Sequence, residues 1–278
     1  FYLVSMYNKS SARLCTVLCN QKYPFIAWLC GLLLIGQATA QVQVPAGPFT
    51  MGTNHPRATD EQPSHQVEMS AFTIDRNEVD NARFAAFVAD TGYRTAAEAE
   101  DAPETADGIS WRHPQGPGST AIPEHPAVYV NWHDAQAYCT WRGGRLPTEA
   151  EWEKSARGND ARLWPWGSTF DAKRANHWGS EDGYAGLAPV GSFPEGASSY
   201  GALDLAGNVW EWCADWYDAD HYATGPSQAP QGPATGRFKV LRGGSWINPG
   251  PALRSSNRFE ILPIERSPYI GFRCVEAP

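Results

Sequence analysis

The chain has 278 residues, a formal net charge of −8 and a hydrophobic fraction of 42%, which is enough to form a full core in one or two domains. The acidic balance argues against nucleic acid and anionic membrane as partners. With 12 tryptophans, 26 glycines and 22 prolines, we expect a loop-rich fold held by aromatic side chains rather than by long helices.

The first 40 residues have the pattern of a signal peptide. Lys9, Arg13 and Lys22 are basic, and no acid occurs before Asp60. Residues 25–36 form an apolar run too short to favour a membrane span, and Ala-Thr-Ala follows as a cleavage site. We therefore predict a signal peptide over 1–40 and export to the periplasm or the extracellular space. The remaining chain would carry 19 basic and 30 acidic residues, a net charge of −11.

Three cysteines lie outside the predicted signal peptide: Cys139, Cys213 and Cys274. An exported chain can oxidise two of them to one internal disulfide and leave one thiol. Their positions alone leave all three pairings open.

The chain then alternates between short predicted strands and helices. Residues 44–53 predict an opening strand with a Gly-Pro turn, and residues 65–74 predict a second strand. Asp80 is placed to cap a helix that runs to about Asp90, and Gly92 ends it.

Residues 95–127 have little apolar periodicity and include an acidic cluster followed by a Pro/Gly run. Long segments of this kind are often functional or mobile. The alternative, a solvated loop fixed by Trp111, is the reading that the composition favours.

Two further helices are predicted from capping residues. Asn131 can cap a helix over 132–142, and Thr148 with Glu151 forms a capping box for a helix that ends near Arg157. Three further short strands are expected at 128–130, 239–241 and 270–275. Short strands mixed with short helices indicate an α+β class.

The stretch 201–212 concentrates chemical groups more than any other. Asp204 and Glu211 flank Gly207 and Asn208, where a glycine permits a sharp turn. Two carboxylates and converging backbone carbonyls are ligands that calcium prefers. The alternative is a core turn with solvated acids.

Four motifs together resemble one known family. Gly-Asn-Val-Trp-Glu-Trp at 207–212 accompanies Arg-Leu-Pro-Thr-Glu-Ala-Glu-Trp at 145–152, Arg-Gly-Gly-Ser-Trp at 242–246 and Gly-Phe-Arg-Cys at 271–274. Their types and order resemble the formylglycine-generating enzyme family, also called sulfatase-modifying factors. The resemblance implies a single domain over residues 41–278, an α+β variant of the C-type-lectin fold with little regular secondary structure.

The resemblance also implies a covalent link and two metal sites. The family's disulfide corresponds to Cys139–Cys274, which leaves Cys213 free. One calcium would be held by the side chains of Asn176 and Asp182 and the carbonyls of His177 and Tyr184. A second would be held by the side chains of Asp204 and Glu211 and the carbonyls of Gly207 and Val209.

The resemblance does not extend to the family's copper chemistry. In the family, two cysteines after the Arg-Gly-Gly-Ser element hold copper(I), for which soft thiolates are suitable ligands. Residues 245–254 contain no cysteine, and Asn248 stands about where the first would be. Tyr269 replaces a substrate-contacting Asn, and only Ser245 is retained. These substitutions argue against copper and leave Ser245, Asn248, Arg254 and Tyr269 as a candidate groove.

Three functions are compatible with this pattern. The first is an exported oxidoreductase or maturation factor that acts on a small molecule or protein without the two-cysteine site. The second is a non-catalytic, calcium-stabilised, lectin-like binding module, and sulfatase activation itself ranks last. Convergent polar groups in a pocket would favour an enzyme, and an exposed aromatic patch would favour binding. We expect a monomer.

Overall fold

Short strands and short helices are joined by long irregular segments in the described part of the protein, which comprises residues 41–99 and 108–276 of a computed structural model. These residues belong to one compact unit. Its strands are β1 (Gln41–Val44), β2 (Gly47–Met51), β3 (His65–Met69), β4 (Phe72–Asp75), β5 (Gly144–Arg145), β6 (Trp210–Trp216), β7 (Lys239–Arg242), β8 (Arg258–Ile261), β9 (Ile270–Gly271) and β10 (Val275–Glu276). Its α-helices are α1 (Asn81–Thr91), α2 (Trp132–Trp141), α3 (Glu149–Arg157) and α4 (His221–Thr224).

The strands form three sheets. The first has the order β1-β4-β10-β5 and is antiparallel, so β10 lies between strands made much earlier in the chain. The second is the β2-β3 pair. The third has the order β8-β7-β6-β9, in which β6 and β9 run parallel. The predicted signal peptide, residues 1–40, lies outside the described residues.

Local capping determines the helix ends, as the sequence predicts. The Asp80 carboxylate accepts a hydrogen bond from Arg83 N (2.7 Å) at the start of α1, and Gly92 ends that helix at φ 69°. Both α2 and α3 begin with a capping box, Asn131 with Asp134 and Thr148 with Glu151. Within the described residues, no helix has the length and apolar character needed to cross a membrane.

Aromatic side chains from distant segments form the main core. Phe84 of α1 contacts Tyr138 of α2 and Phe272, with ring centroids 5.8 and 6.2 Å apart. Cys139 and Cys274 are buried in the same cluster and are joined by a disulfide, as the resemblance implied. This bond links α2 to the segment that leads into β10.

Three strand predictions are wrong in their extent. Residues 44–53 contain the last residue of β1 and all of β2, and residues 65–74 contain β3 and most of β4. Residues 270–275 contain β9 and only the first residue of β10. Residues 128–130 form no strand, because Tyr129 has φ 57° and the backbone turns there. Tyr129 N donates instead to Ser267 O (3.1 Å), a partner that the local pattern does not specify.

Candidate functional site

The loop 204–211 contains three residues in the left-handed region. Asp204, Gly207 and Asn208 have φ values of 59°, 85° and 60°. A Cβ on Gly207 would lie 2.0 Å from the carbonyl oxygen of Asn176, so only glycine fits this approach. The loop therefore packs directly on the first residue of the segment 176–184, which carries the other predicted calcium ligands.

The segment 176–184 folds around the Asp182 carboxylate. Its two oxygens accept hydrogen bonds from His177 N (2.8 Å) and Tyr184 N (2.9 Å). The Asn176 amide nitrogen donates to Gly186 O and to Asn208 Oδ1, at 2.8 and 2.9 Å. Asn176 Oδ1 remains buried without a hydrogen-bond partner. A buried acceptor without a donor suits a small hard cation.

The loop 204–211 carries an excess of buried negative charge. Glu211 pairs with Arg273 through two hydrogen bonds of 2.6 and 2.7 Å, and Trp152 Nε1 donates to the same carboxylate (2.8 Å). Asp204 accepts from Gly191 N (2.7 Å). Glu78 is the third buried acid of this group, and its carboxylate accepts from Asn208 Nδ2 and from the backbone N–H of residue 209.

Burial and mutual repulsion act on these acids. Burial, followed by the charges of Asp204 and Glu211, raises the pKa of Glu78 well above its usual range. Burial also raises the pKa of Asp204 to about 6, partly offset by Arg273. Three carboxylates against two guanidinium groups, buried Arg273 and exposed Arg76, still favour a cation or bound protons. Over residues 41–99 and 108–276, no three His, Cys, Asp or Glu side chains converge on one point, so calcium would need carbonyl oxygens as well.

Ser245 and Asn248 lie together at the position that resembles the copper loop. Asn248 Oδ1 accepts hydrogen bonds from Ser245 Oγ (2.8 Å) and Ser245 N (3.0 Å). Asn248 N donates back to Ser245 O (2.9 Å). The Asn248 side chain thus closes its own turn. Trp178, which is 71% exposed, donates its backbone N–H to Asn248 O (2.9 Å).

The two other candidate residues have separate contacts. Arg254 forms a two-bond ion pair with Glu61 (2.7 and 2.8 Å) and also donates to Pro251 O. This pairing gives Arg254 a structural role, and none of its contacts is to Ser245 or Asn248. The Tyr269 carbonyl accepts from Trp210 N (2.8 Å), and its partly buried side chain packs on the main core.

A cleft of about 620 Å³ opens beside Ser245 and Tyr269, whose neighbours Trp246 and Pro268 form part of its wall. Most of the remaining wall comes from the irregular segment that precedes α2, and from residues 185–187. Among the described residues, the wall contains no Asp, Glu, Lys or Arg, and burial lowers the pKa of the histidine it does contain, His125. The wall residues are Asn81, Pro114, Gln115, Ser119, Thr120, Ile122, His125, Val128, Ala185, Gly186, Leu187, Trp246 and Pro268.

Residues 35–278 match the family described as sulfatase-modifying factor enzyme 1-like domain. The chain belongs to this family. It is 41% identical to the formylglycine-generating enzyme of Thermomonospora curvata, over 87% of this chain and 94% of that protein. It is 39% identical to the formylglycine-generating enzyme of Bos taurus, over 85% of this chain and 74% of that protein. It is also 38% identical to the inactive C-alpha-formylglycine-generating enzyme 2 of Mus musculus, over 91% and 92%.

Solved structures agree with this assignment. The structure of PvdO from Pseudomonas aeruginosa superposes with a TM-score of 0.72 at 32% identity, covering 86% of this chain and 94% of that one. Treponema denticola variable protein 1 superposes with a TM-score of 0.66 at 27% identity, covering 86% and 95%. The predicted fold class, a single-domain α+β variant of the C-type-lectin fold, is confirmed.

The residues of this family member do not fit the two-cysteine copper site. Cys213 is the free cysteine of the described residues, and it is completely buried against Trp152 and Val240. Burial, followed by the charges of Asp215 and Glu149, raises the pKa of its thiol well above the usual range. A buried, protonated thiol is a poor ligand for copper, and Asn248 supplies no thiolate.

Sequence reasoning missed Glu78 and Arg273, the partners that hold the loop 204–211. Arg273 belongs to the Gly-Phe-Arg-Cys motif, so its place in a family motif was the available signal. Glu78 lies two residues before the first helix cap, Asp80, and carries no local sign of its contact with Asn208, which is 130 residues away.

Proposed function

We propose that this family member is an exported oxidative maturation enzyme or factor that does not use a two-cysteine copper site. The observation that supports this proposal is the combination of a complete family scaffold with a loop 245–254 that has no cysteine, next to an open cleft. A cleft of about 620 Å³ lies within the range of small-molecule sites.

The cleft wall limits the chemistry of the substrate. The described residues of the wall carry no charged side chain that could compensate for burying a charged group, which is costly when unpaired. We therefore expect the part of the substrate that enters the cleft to be uncharged, whether it belongs to a small molecule or to a protein. Trp246 offers an indole face, and Asn81 and His125 offer polar groups.

We also propose that calcium stabilises the walls of the cleft. The first ion would use Asn176, His177, Asp182 and Tyr184, and the second Asp204, Gly207, Val209 and Glu211, through the atoms that the family resemblance indicates. The first ion would satisfy Asn176 Oδ1, and the second would neutralise the excess of buried carboxylates. Both loops contact the cleft, because Asn176 binds Gly186 O and Asn208 O accepts from Trp246 N.

Export to the periplasm or the extracellular space is part of the proposal. The signal-like composition of residues 1–40 supports it. The Cys139–Cys274 disulfide also supports it, because such bonds persist mainly in oxidising compartments.

A non-catalytic binding module is the second candidate. Two exposed apolar side chains favour it: Trp178, which is 71% exposed, and Ile247, which is 39% exposed. Ile247 is next to Asn248 in the chain, and the Asn248 carbonyl accepts a hydrogen bond from the Trp178 backbone N–H. An exposed apolar pair of this kind is a feature of contact surfaces. The similarity to an inactive mammalian relative is compatible with this function.

A matched pair of tryptophan variants separates the two candidates. Cells that lack the gene are complemented with wild type, Trp246→Ala or Trp178→Ala, and their exported metabolites and proteins are compared by mass spectrometry. For an enzyme that removes two hydrogens from its substrate, with dioxygen accepting the two electrons and two protons, we expect a product two mass units lighter than its precursor with wild type and Trp178→Ala. We expect this product to be lost with Trp246→Ala. The absence of any such product, or its full retention with Trp246→Ala, would contradict the cleft as an oxidation site.

Copper chemistry is tested separately. We expect purified protein, loaded with copper and given a sulfatase-motif peptide, oxygen and thiol, to leave the peptide cysteine unchanged. The aldehyde would be seen as a mass loss on the peptide. Metal-dependent conversion with repeated turnover would show that this chain holds copper in another way.

A further inference from the structure

Asn208 connects the two predicted calcium ligand sets directly. Its backbone N–H donates to Asn176 O (2.9 Å), and its Oδ1 accepts from Asn176 Nδ2 (2.9 Å). Its Nδ2 donates to Glu78 Oε2 (2.6 Å), and the other oxygen of Glu78 accepts from Val209 N (3.1 Å). Asn208 is only 2% exposed, so water cannot readily replace these bonds.

These bonds fix the orientation of one predicted ligand and of the backbone next to another. With both N–H groups of the Asn176 amide used, by Asn208 and Gly186, the amide plane is set and Oδ1 can face a cation. On the other side, Glu78 fixes the peptide group that joins Asn208 to Val209. Gly207 packs against Asn176 O so closely that a Cβ would lie 2.0 Å away, which leaves no room for independent movement.

We infer that the two calcium ions bind with positive cooperativity, transmitted through Asn208. This inference rests on the calcium proposal above. Binding at one site orders either Asn176 or the loop 204–211. Because the Asn208 hydrogen bonds join these two segments, the second ion then binds to ligands that are already ordered, and its binding costs less conformational entropy. Allosteric couplings typically change affinity by about 5- to 150-fold, and the change must be equal in both directions.

Native mass spectrometry of calcium-stripped protein during a calcium titration tests the inference. We expect the ion-free and two-ion species to dominate at half saturation, with little of the one-ion species. Asp182→Asn and Asp204→Asn each remove a carboxylate from one site, and asparagine tolerates the φ of 59° at position 204. In both variants we expect the remaining site to bind calcium at least about 5-fold more weakly than the same site does in wild type that already holds the other ion, and by equal factors.

Asn208→Gly removes the bridging side chain while allowing the φ of 60° at that position. We expect this variant still to bind two ions, with the one-ion species now the most abundant at half saturation. If the variant does not fold, the wild-type species distribution decides. A dominant one-ion species in wild type would overturn the coupling and leave calcium binding intact. A wild type that binds no calcium at all would overturn the calcium proposal and this inference with it.

Discussion

Replacing Glu211 by glutamine should cost stability and remove most of the response to calcium at the same time. The Glu211 carboxylate is fully buried, and it accepts two hydrogen bonds from Arg273 and one from Trp152. Glutamine keeps the size of the side chain and leaves the arginine charge buried without its ionic partner. Breaking a buried ion pair in this way costs about 3–5 kcal/mol.

The expected change in melting temperature follows from the size of the domain. Domains of 150–250 residues lose about 2–4 °C per kcal/mol, so Glu211→Gln should melt roughly 6–20 °C below wild type in calcium. The assay is thermal unfolding in calcium and again in EDTA. Wild type should lose melting temperature in EDTA and regain it with added calcium, whereas the variant should change little between the two conditions.

Glu153→Gln is the matched control. Glu153 is also completely buried and pairs with Arg242 (2.5 Å) and Arg157 (2.8 Å), and none of its contacts is to the predicted calcium ligands. We expect a similar loss of stability in this variant and a wild-type response to EDTA. Equal responses in the two variants, whether both present or both absent, would refute the assignment of Glu211 to a calcium site.

Three further predictions concern single residues. Burial and Glu149 raise the pKa of Asp215 to about 7, so its stabilising effect is complete below the unfolded-state value of 3.8 and is lost as the pH rises through 7. Denaturant unfolding should therefore show that the free energy of unfolding of wild type falls, relative to that of Asp215→Asn, by up to about 1.4 kcal/mol per pH unit between pH 4 and 7. Parallel curves of unfolding free energy against pH for the two proteins would contradict this. Gly207→Ala should prevent folding or cost more than about 3 kcal/mol, whereas Gly92→Ala, where a Cβ meets nothing within 4 Å, should cost about 1 kcal/mol in the same assay. The Cys213 thiol should resist alkylation in the folded protein and react after unfolding, as measured by peptide mass; rapid labelling of the native state would place it nearer the surface.

The predictable parts of the fold are those encoded by neighbouring residues. Asp80, Asn131 and Thr148 cap their helices through bonds to residues three positions later, so a short window of sequence is sufficient. The turn at Tyr129 was missed because a positive φ at a tyrosine is imposed by the surrounding structure and not by the residue itself.

The parts of the site that could not be predicted depend on long-range charge pairing. Arg254 was assigned to the groove because it follows Ser245 closely, yet its partner Glu61 lies 193 residues away. The Glu78–Asn208 contact could not be predicted for the same reason, because its two residues are 130 positions apart in the sequence. The calcium ligands could be named only because the family resemblance supplied residue positions, and the cleft wall could not be assembled from a segment without periodicity.

The position of β10 has a consequence for how this protein is made. The first sheet contains β1 at 41–44 and β4 at 72–75, and it also needs β10, which pairs with β4 and β5. The backbone N–H of Cys274, just before β10, donates to the Asp75 carboxylate, 199 residues earlier. A ribosome-bound chain lacking these late residues therefore cannot complete the sheet that its early residues start. Until residues 275–276 have been made, β4 and β5 therefore lack the strand that lies between them in the folded protein.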